Sequence, residues 1–385
     1  MTTRLSIEQL ALQRDKYRHL SDEEWRWFLQ QVEGRERTAD KLPSFAAIED
    51  WWYPVRLSCE QCSSELTARY KTSIVHQPYH RQCLDLTAGY GVDTYFLSEA
   101  FDHTDYVEQN AELCRIAEHN FEIGRNAITV HNTTAEEFLA SAGKYDLIYM
   151  DPARRDSHGG KVFRLEDCTP NLVELLPSLL SHLTPNGRLM LKLSPMLDLT
   201  QAVNALPVIN WDIHVVAVKN EVKEVLLLSR QLTADNLQSV ISAIDLAEPA
   251  QVFTFTREEE TLSAKRPLSQ TVLPQNALYL YEPNAAILKA GAYKLVAQRF
   301  GLTKLDVNTH LYVSDTRMEN FPGRIWKIAD SRQLITDSRA NIICRNYPLT
   351  PDQLKKKLHL RDGGTVFVIG CRIAGKPTLL YAERV

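Results

Sequence analysis

The sequence predicts an α/β protein: a seven-stranded, mostly parallel sheet, with a helical domain before it and small α+β domains after it. Three observations predict this. From Arg81 onward, apolar runs of about four to eight residues alternate with helical stretches, as a parallel sheet buried on both faces requires. The first of these runs leads into a helix through Thr87-Ala-Gly-Tyr-Gly91, a glycine-bearing turn. The last two runs before Thr233 are separated only by Lys219 to Glu224, with a turn at Lys219-Asn220-Glu221, too short for a crossover helix, so they close the sheet as an antiparallel hairpin.

Length and composition agree with that class. A chain of 385 residues with 44% hydrophobic and 24% charged side chains buries a sizeable core, and 15 Gly with 17 Pro is too little for a low-complexity chain. No apolar run is long enough to span a membrane, and Met1 to Gln13 lacks the basic start and apolar block of a signal peptide. A cytoplasmic protein without a membrane partner is therefore expected, and its seven scattered Cys should be reduced thiols. The net charge of −4 hides an asymmetry: from Lys265 to Val385 there are 19 basic and 9 acidic residues, a tail of +10 that leaves −14 for the rest. A basic block of this kind suits a polyanion, with a merely solvated domain as the plain alternative.

The elements follow in order. Ser6 can cap a helix through Ile7, Leu10 and Leu12. Ser21 with Glu24 has capping-box spacing before Trp25 to Val32, and a further helix runs from Leu66 to Val75. His76 to Tyr79 reads as a linker. Strands are expected at Gln82 to Leu86, Thr104 to Val107, Ile128 to His131, Asp146 to Met150, Arg188 to Leu193, Ile213 to Val218 and Val225 to Leu228. Helices fall at Thr94 to Ala100, Ala111 to Glu122, Ala135 to Ala142 and Asn171 to Leu183. Later segments read as strands at Val252 to Thr256, Leu278 to Tyr281 and Leu311 to Val313, with one helix from Ala285 to Phe300. Thr350, Pro351 and Gln353 start a last helix, and Gly363-Gly364 opens a hairpin of Val366 to Cys371 and Thr378 to Ala382.

Chemistry concentrates at the carboxyl ends of the strands, where open α/β sheets bind ligands. Cys83-Leu-Asp-Leu-Thr-Ala-Gly-Tyr-Gly-Val-Asp93 places Asp85 at a strand end, then Gly89 and Gly91 where a ligand can approach the backbone. Glu108, 23 residues after Asp85, ends the next strand, where a carboxylate can accept both ribose hydroxyls of an adenosine. Tyr145-Asp-Leu-Ile-Tyr-Met-Asp-Pro-Ala-Arg-Arg155 delivers Asp151-Pro152 to the same edge.

Together these motifs resemble the class I S-adenosylmethionine-dependent methyltransferases, a Rossmann-like family, over roughly Arg81 to Arg230. The resemblance implies S-adenosyl-L-methionine as cofactor. Asp85, Gly89 and Gly91 would hold its methionine end, Glu108 its ribose, and Asn132 to Thr134 would lie near the adenine, with Thr87 and Asp93 as further cofactor contacts. In amino-methylating members an Asp/Asn-Pro-Pro-aromatic loop takes hydrogen bonds from a base amine. Here Asp151-Pro152-Ala153-Arg154 keeps the carboxylate and proline as catalytic candidates, and Arg154 and Arg155 become substrate contacts. The loop also resembles that of RNA 5-methyluridine methyltransferases. Those need a nucleophilic Cys after the fifth strand, and there is no Cys from Thr169 to Ile343.

Tyr281-Glu-Pro-Asn-Ala-Ala-Ile-Leu-Lys-Ala-Gly291, Phe321-Pro-Gly-Arg324 and Asn346-Tyr-Pro-Leu-Thr350 resemble a bacterial methyltransferase group with a small ferredoxin-like segment and a C-terminal THUMP-like domain. This implies four parts: a helical domain over 1–78, the methyltransferase domain over 79–274, the ferredoxin-like segment over 275–322 and the THUMP-like domain over 323–385. THUMP domains bind RNA, so the resemblance implies RNA methylation, on a base nitrogen of tRNA or rRNA. Arg324, Lys355 and Lys356 would be RNA-binding residues of the basic tail. A protein or small-molecule methyltransferase, or a non-catalytic RNA-binding factor, is the alternative. No metal is expected, although Cys59-x2-Cys62 and His76-x3-His80 have the spacing of a zinc finger: Ser63 to Val75 between them reads as one helix without the hairpin such a finger needs.

Overall fold

The computed structural model describes residues 7–75, 81–124, 126–154, 165, 168–207, 210–230, 238–263, 277–329, 335 and 337–385. Two compact units divide it: Met1–Trp211 with Leu226–Asp235, and Asp212–Val225 with Asn236–Val385. No helix among the described residues is long and apolar enough to cross a membrane.

In the first unit five helices come first: α1 (Ile7–Ala11), α2 (Asp22–Thr38), α3 (Pro43–Ala47), α4 (Arg56–Gln61) and α5 (Glu65–Val75). Ser21 and Glu24 form the expected reciprocal capping box of α2. Ser6, the proposed cap of α1, and the His76 to Tyr79 linker lie outside the described residues. The aromatic and aliphatic side chains of this helical region pack onto the glycine turn and the helix behind it. Leu42, Phe45, Trp51, Tyr53 and Ala68 share one buried cluster with Tyr90, Val92, Phe96 and Ile116.

The sheet of this unit contains β1 (Gln82–Asp85), β2 (His103–Glu108), β3 (Ile128–Asn132), β4 (Tyr145–Met150) and β5 (Leu183–Leu193). Between them run α6 (Val92–Leu97), α7 (Ala111–Gly124), α8 (Ala135–Leu139) and α9 (Leu172–Ser181), with α10 (Leu199–Asn204) after β5. β1 pairs in parallel with both β2 and β4, β2 with β3, and β4 with β5. The hairpin β6 (Trp211–Val218) and β7 (Glu221–Ser229) is divided between the units, and β7 neighbours β5.

In the second unit β8 (Val240–Asp245) lies parallel to β6, and β9 (Gln251–Thr256) runs antiparallel to β8. The hydrogen-bonded order is β3-β2-β1-β4-β5-β7 on the side of the first unit and β6-β8-β9 in the second, nine strands where the sequence predicts seven. β8 was not expected: Val240–Asp245 is a short stretch that mixes Ser and Asp with its apolar residues.

After α11 (Arg257–Ser263), a second sheet contains β10 (Tyr279–Pro283), β11 (Tyr312–Ser314), β12 (Gly323–Ala329), β13 (Asn341–Arg345), β14 (Val366–Ile373) and β15 (Lys376–Arg384), edged by Thr303–Lys304. Its order from that edge is β11-β10-β12-β15-β14-β13. The helix expected from Ala285 to Phe300 is two helices, α12 (Ala285–Ala290) and α13 (Leu295–Arg299), because Gly291 at φ 86° ends the first in a left-handed cap. Thr350 and Gln353 cap α14 (Pro351–Leu358) as their spacing requires.

Candidate active site

Within the first unit the loops after β1, β2 and β4 meet at the carboxyl edge of the sheet. Asp85 ends β1 with its carboxylate buried. Thr94 Oγ1 donates to Oδ2 at 2.7 Å and the Thr87 amide to Oδ1 at 3.2 Å. Burial pushes the Asp85 pKa up to about 7. Thr94 and Thr87 pull it back, while the nearby charges of Asp93 and Asp151 push it further. Thr87 also joins two loops, since its Oγ1 accepts from the Asp151 amide at 2.6 Å.

The glycine turn needs its glycines for different reasons. Both have positive φ, +57° at Gly89 and +82° at Gly91. A Cβ at Gly91 would stand 2.8 Å from Phe121 Cζ, so that side is filled by the protein. At Gly89 a Cβ would meet nothing within 4 Å, so the turn leaves an open cradle there. Glu108, at the end of β2, accepts from the Gly89 amide at 3.1 Å and the Asn110 amide at 2.8 Å, which keeps its carboxylate beside that cradle with lone pairs to spare. An open glycine face next to a strand-end carboxylate suits the methionine end and ribose of the implied cofactor.

Other expected cofactor contacts have different duties. Asn132 donates its amide to Glu108 O at 3.0 Å and Gln109 O at 3.1 Å, bracing the backbone after β2. Thr134 is the N-cap of α8 and accepts from the Glu137 amide at 3.2 Å in a capping box. Asp93, expected at the cofactor, is instead buried in a polar cluster. Ser63 and Tyr149 hydroxyls both donate to its Oδ2 at 2.7 Å, and Lys71 Nζ stands 3.2 Å from Oδ1. Burial opposes the Asp93 charge, but Lys71 and Lys192 outweigh it with the two hydroxyls and hold its pKa below the usual carboxylate value.

Asp151 extends from β4 at the sheet edge, followed by the buried Pro152. Lys192 Nζ donates to its Oδ2 at 2.5 Å. Lys192 is only 13% exposed, against 38% for Asp151. Among the described residues no partner stands on Asp151 Oδ1. Sequence reasoning missed Lys192 and the role of Tyr149. The available signal was a lone Lys inside the apolar run Leu189-Met-Leu-Lys-Leu193.

The proposed substrate contacts divide. The backbone of Ala153–Arg154 pairs with Cys168–Thr169, and Arg155 lies outside the described residues. In the second unit Arg324 sits across the sheet from Glu282 and stands 3.6 Å from that buried carboxylate, which Arg345 also holds. Lys355 pairs with Asp362 at 2.7 Å and Asp352 at 3.3 Å, whereas Lys356 is exposed. Arg324 and Lys355 thus have intramolecular partners where the sequence suggested open contacts. The Cys59 thiol is buried against Pro54 O, and that burial, with Cys62 nearby, pushes its pKa up to about 12. His76 and His80 lie outside the described residues. Among the described residues no three His, Cys, Asp or Glu side chains gather as metal ligands.

Comparison with known proteins agrees with this geometry. A protein from Porphyromonas gingivalis W83, whose crystal structure is assigned to a methyltransferase, is 32% identical, superimposes with a TM-score of 0.81, and covers 95% of this chain and 91% of its own. Two Mycobacterium tuberculosis proteins, named uncharacterized S-adenosylmethionine-dependent methyltransferases, are 24% identical over 90% of this chain and 92% of theirs. Residues 279–322 match a ferredoxin-like domain family, and residues 326–384 a THUMP domain-like family.

Proposed function

Because the chain belongs to the class I S-adenosylmethionine-dependent methyltransferases that carry a C-terminal THUMP-like domain, we propose that its acceptor is a base nitrogen of structured RNA, tRNA or rRNA, modified in the cytoplasm. The observation that carries the RNA reading is the THUMP domain-like stretch at 326–384, which lies inside the part of the chain with a net charge of +10. S-adenosylmethionine, the cofactor, supplies an electrophilic methyl group. The chain has to hold that donor, aim the acceptor and take away a proton.

In this reading Gly89 admits the cofactor to the backbone, Asp85 and Thr87 fix the turn, and Glu108 accepts the ribose hydroxyls. Asp151 meets the acceptor. Its Oδ1 accepts an N–H of the nitrogen to be methylated, which orients that nitrogen, and afterwards receives its proton. Pro152 stiffens the loop. A carboxylate with one oxygen held by Lys192 at 2.5 Å presents the other as a hydrogen-bond acceptor, which suits a nitrogen bearing hydrogen.

The test is methyl transfer from radiolabelled S-adenosylmethionine to total RNA from a strain lacking the gene, with total protein alongside. Label in RNA, traced by nucleoside analysis to a methylated base nitrogen, is expected. Label confined to protein, or undiminished transfer by Asp151→Ala with cofactor binding intact, would overturn the reading.

A further inference from the structure

We infer that Lys192 is a positioning residue for methyl transfer: it holds Asp151 by one oxygen so that the other stays fixed toward the acceptor, and Lys71 of the helical region frees it for this by neutralising Asp93. The inference rests on the reading that Asp151 meets the acceptor nitrogen, but not on that acceptor being RNA.

Strand register puts the pair together. β4 and β5 are parallel with Met150 opposite Leu191, so one step further Asp151 and Lys192 stand side by side at the carboxyl edge. Alternation along β5 sends Leu191 and Leu193 to one face and Lys192 to the other, where Ser63 Oγ accepts from its Nζ at 3.3 Å. Polar neighbours of the ammonium include Asp151 at 2.5 Å, Ser63 at 3.3 Å and Asp93 at 3.9 Å. A lysine whose ammonium donates to both Asp151 and Ser63 has limited freedom to turn.

Charge matching then assigns the partners. Asp93 takes its short contacts from elsewhere: Ser63 and Tyr149 donate to Oδ2 at 2.7 Å, and the completely buried Lys71 stands 3.2 Å from Oδ1, which accepts no hydrogen bond among the described residues, while Lys192 lies further off at 3.9 Å. Lys192 at that depth needs a close counter-charge, and its shortest contact with one is the carboxylate at the sheet edge. The buried end of the Lys192–Asp151 pair is therefore anchored, while the more exposed end is left to do the work. Ser63 Oγ ties the arrangement together, since it accepts from Lys71 at 3.3 Å as well. Ser63 and Lys71 come from the region before the sheet, so that region supplies part of the site's electrostatic frame.

The test is a double-mutant cycle on the full chain, using turnover on whichever acceptor takes label and calorimetric binding of S-adenosylmethionine. Lys192→Met is expected to lower kcat about 10²-fold, the loss typical of a misplaced reacting group, with cofactor affinity within about twofold of wild type. Lys192→Arg, which keeps a cation at the same point, should recover most of it. Asp151→Asn combined with Lys192→Met should be no slower than Asp151→Asn alone, because Lys192 acts through Asp151. Multiplying losses in the double variant, or unchanged kcat in a Lys192→Met chain that binds cofactor, would overturn the inference. If Lys192→Met fails to bind cofactor, Lys192→Gln replaces it in the cycle under the same criteria, with Lys192→Arg kept as the rescue. Label in protein instead of RNA overturns the RNA reading alone, and the cycle is then run on that acceptor. A wild-type chain that binds cofactor and labels nothing overturns both.

Discussion

Alanine at the two glycines of the turn after β1 should separate folding from cofactor binding. Gly89→Ala and Gly91→Ala both force a Cβ into left-handed backbone, at φ +57° and +82°, which costs about 1–2 kcal/mol for an L-residue. At Gly91 the new methyl would also lie 2.8 Å from Phe121 Cζ and 3.3 Å from Tyr106 Cε2 in a packed interior. Overpacking adds roughly 1–3 kcal/mol, for a total loss of about 2–5 kcal/mol. At Gly89 nothing lies within 4 Å, so only the backbone cost remains for the free protein. The same methyl would occupy space assigned to the cofactor, and displacing even one backbone hydrogen bond of about 1.4 kcal/mol weakens binding about tenfold. Urea unfolding and calorimetric titration with S-adenosylmethionine measure the two effects. Gly89→Ala should be mildly destabilised and bind at least about tenfold more weakly, and Gly91→Ala should be clearly the less stable. A Gly89→Ala protein that binds like wild type would show that the open face of the turn is not cofactor space.

Further outcomes follow from individual contacts. Asp85 has its pKa raised to about 7, so its contribution to stability is complete below its unfolded value near 3.8 and is lost as pH rises to and through 7. At about 1.4 kcal/mol for each tenfold change in proton affinity, that contribution is at most about 4 kcal/mol. Unfolding of Asp85→Asn should therefore be flatter than wild type between pH 4 and 8, with the variant gaining relative stability toward pH 8. Parallel curves would remove the buried-carboxylate account. Replacing Lys71 by Met leaves Asp93 with Lys192 at 3.9 Å as its remaining cation and should destabilise the first unit by about 3–5 kcal/mol in urea titration. A loss below about 1 kcal/mol would mean Asp93 does not need Lys71. In the tail, Lys356→Gln should weaken RNA binding and reduce the slope of log K against log salt by up to about one. Arg324→Gln should show its effect in stability instead, because Arg324 stands 3.6 Å from the buried Glu282. Equal salt slopes in wild type and Lys356→Gln would take Lys356 out of the RNA-contacting set.

Much of the first sheet was legible because its information is local. Strand ends such as Asp85 and Glu108, the turn at Gly89 and Gly91, and the short link at Lys219-Asn220 each announce themselves within a few residues. Capping boxes at Ser21 and Thr350 were equally local, and both are present. The helix expected from Ala285 to Phe300 failed for the converse reason. An apolar helical pattern continues across Gly291, but the left-handed cap at φ 86° decides the matter, and periodicity does not register backbone sign. β12 and β13 were missed because Gly323–Ala329 and Asn341–Arg345 become strands through pairing with β10, β15 and β14, partners distant in sequence.

The same distinction explains what was missed at the site. Asp93 lies two residues past Gly91, and local reading assigns it to the cofactor. What redirects it is Lys71, 22 residues earlier, and Lys192, 99 residues later, together with hydroxyls from Ser63 and Tyr149. Sequence shows a carboxylate; only the fold shows which cations it has been given. That difference also changes how Asp151 is understood. As a motif residue it is a carboxylate awaiting an amine, whereas in the fold one oxygen is already held by Lys192 at 2.5 Å. A carboxylate held by one oxygen has lost a hydrogen-bonding direction and gained a defined orientation. For a transfer that depends on in-line alignment, a fixed acceptor is of more use than a second free oxygen.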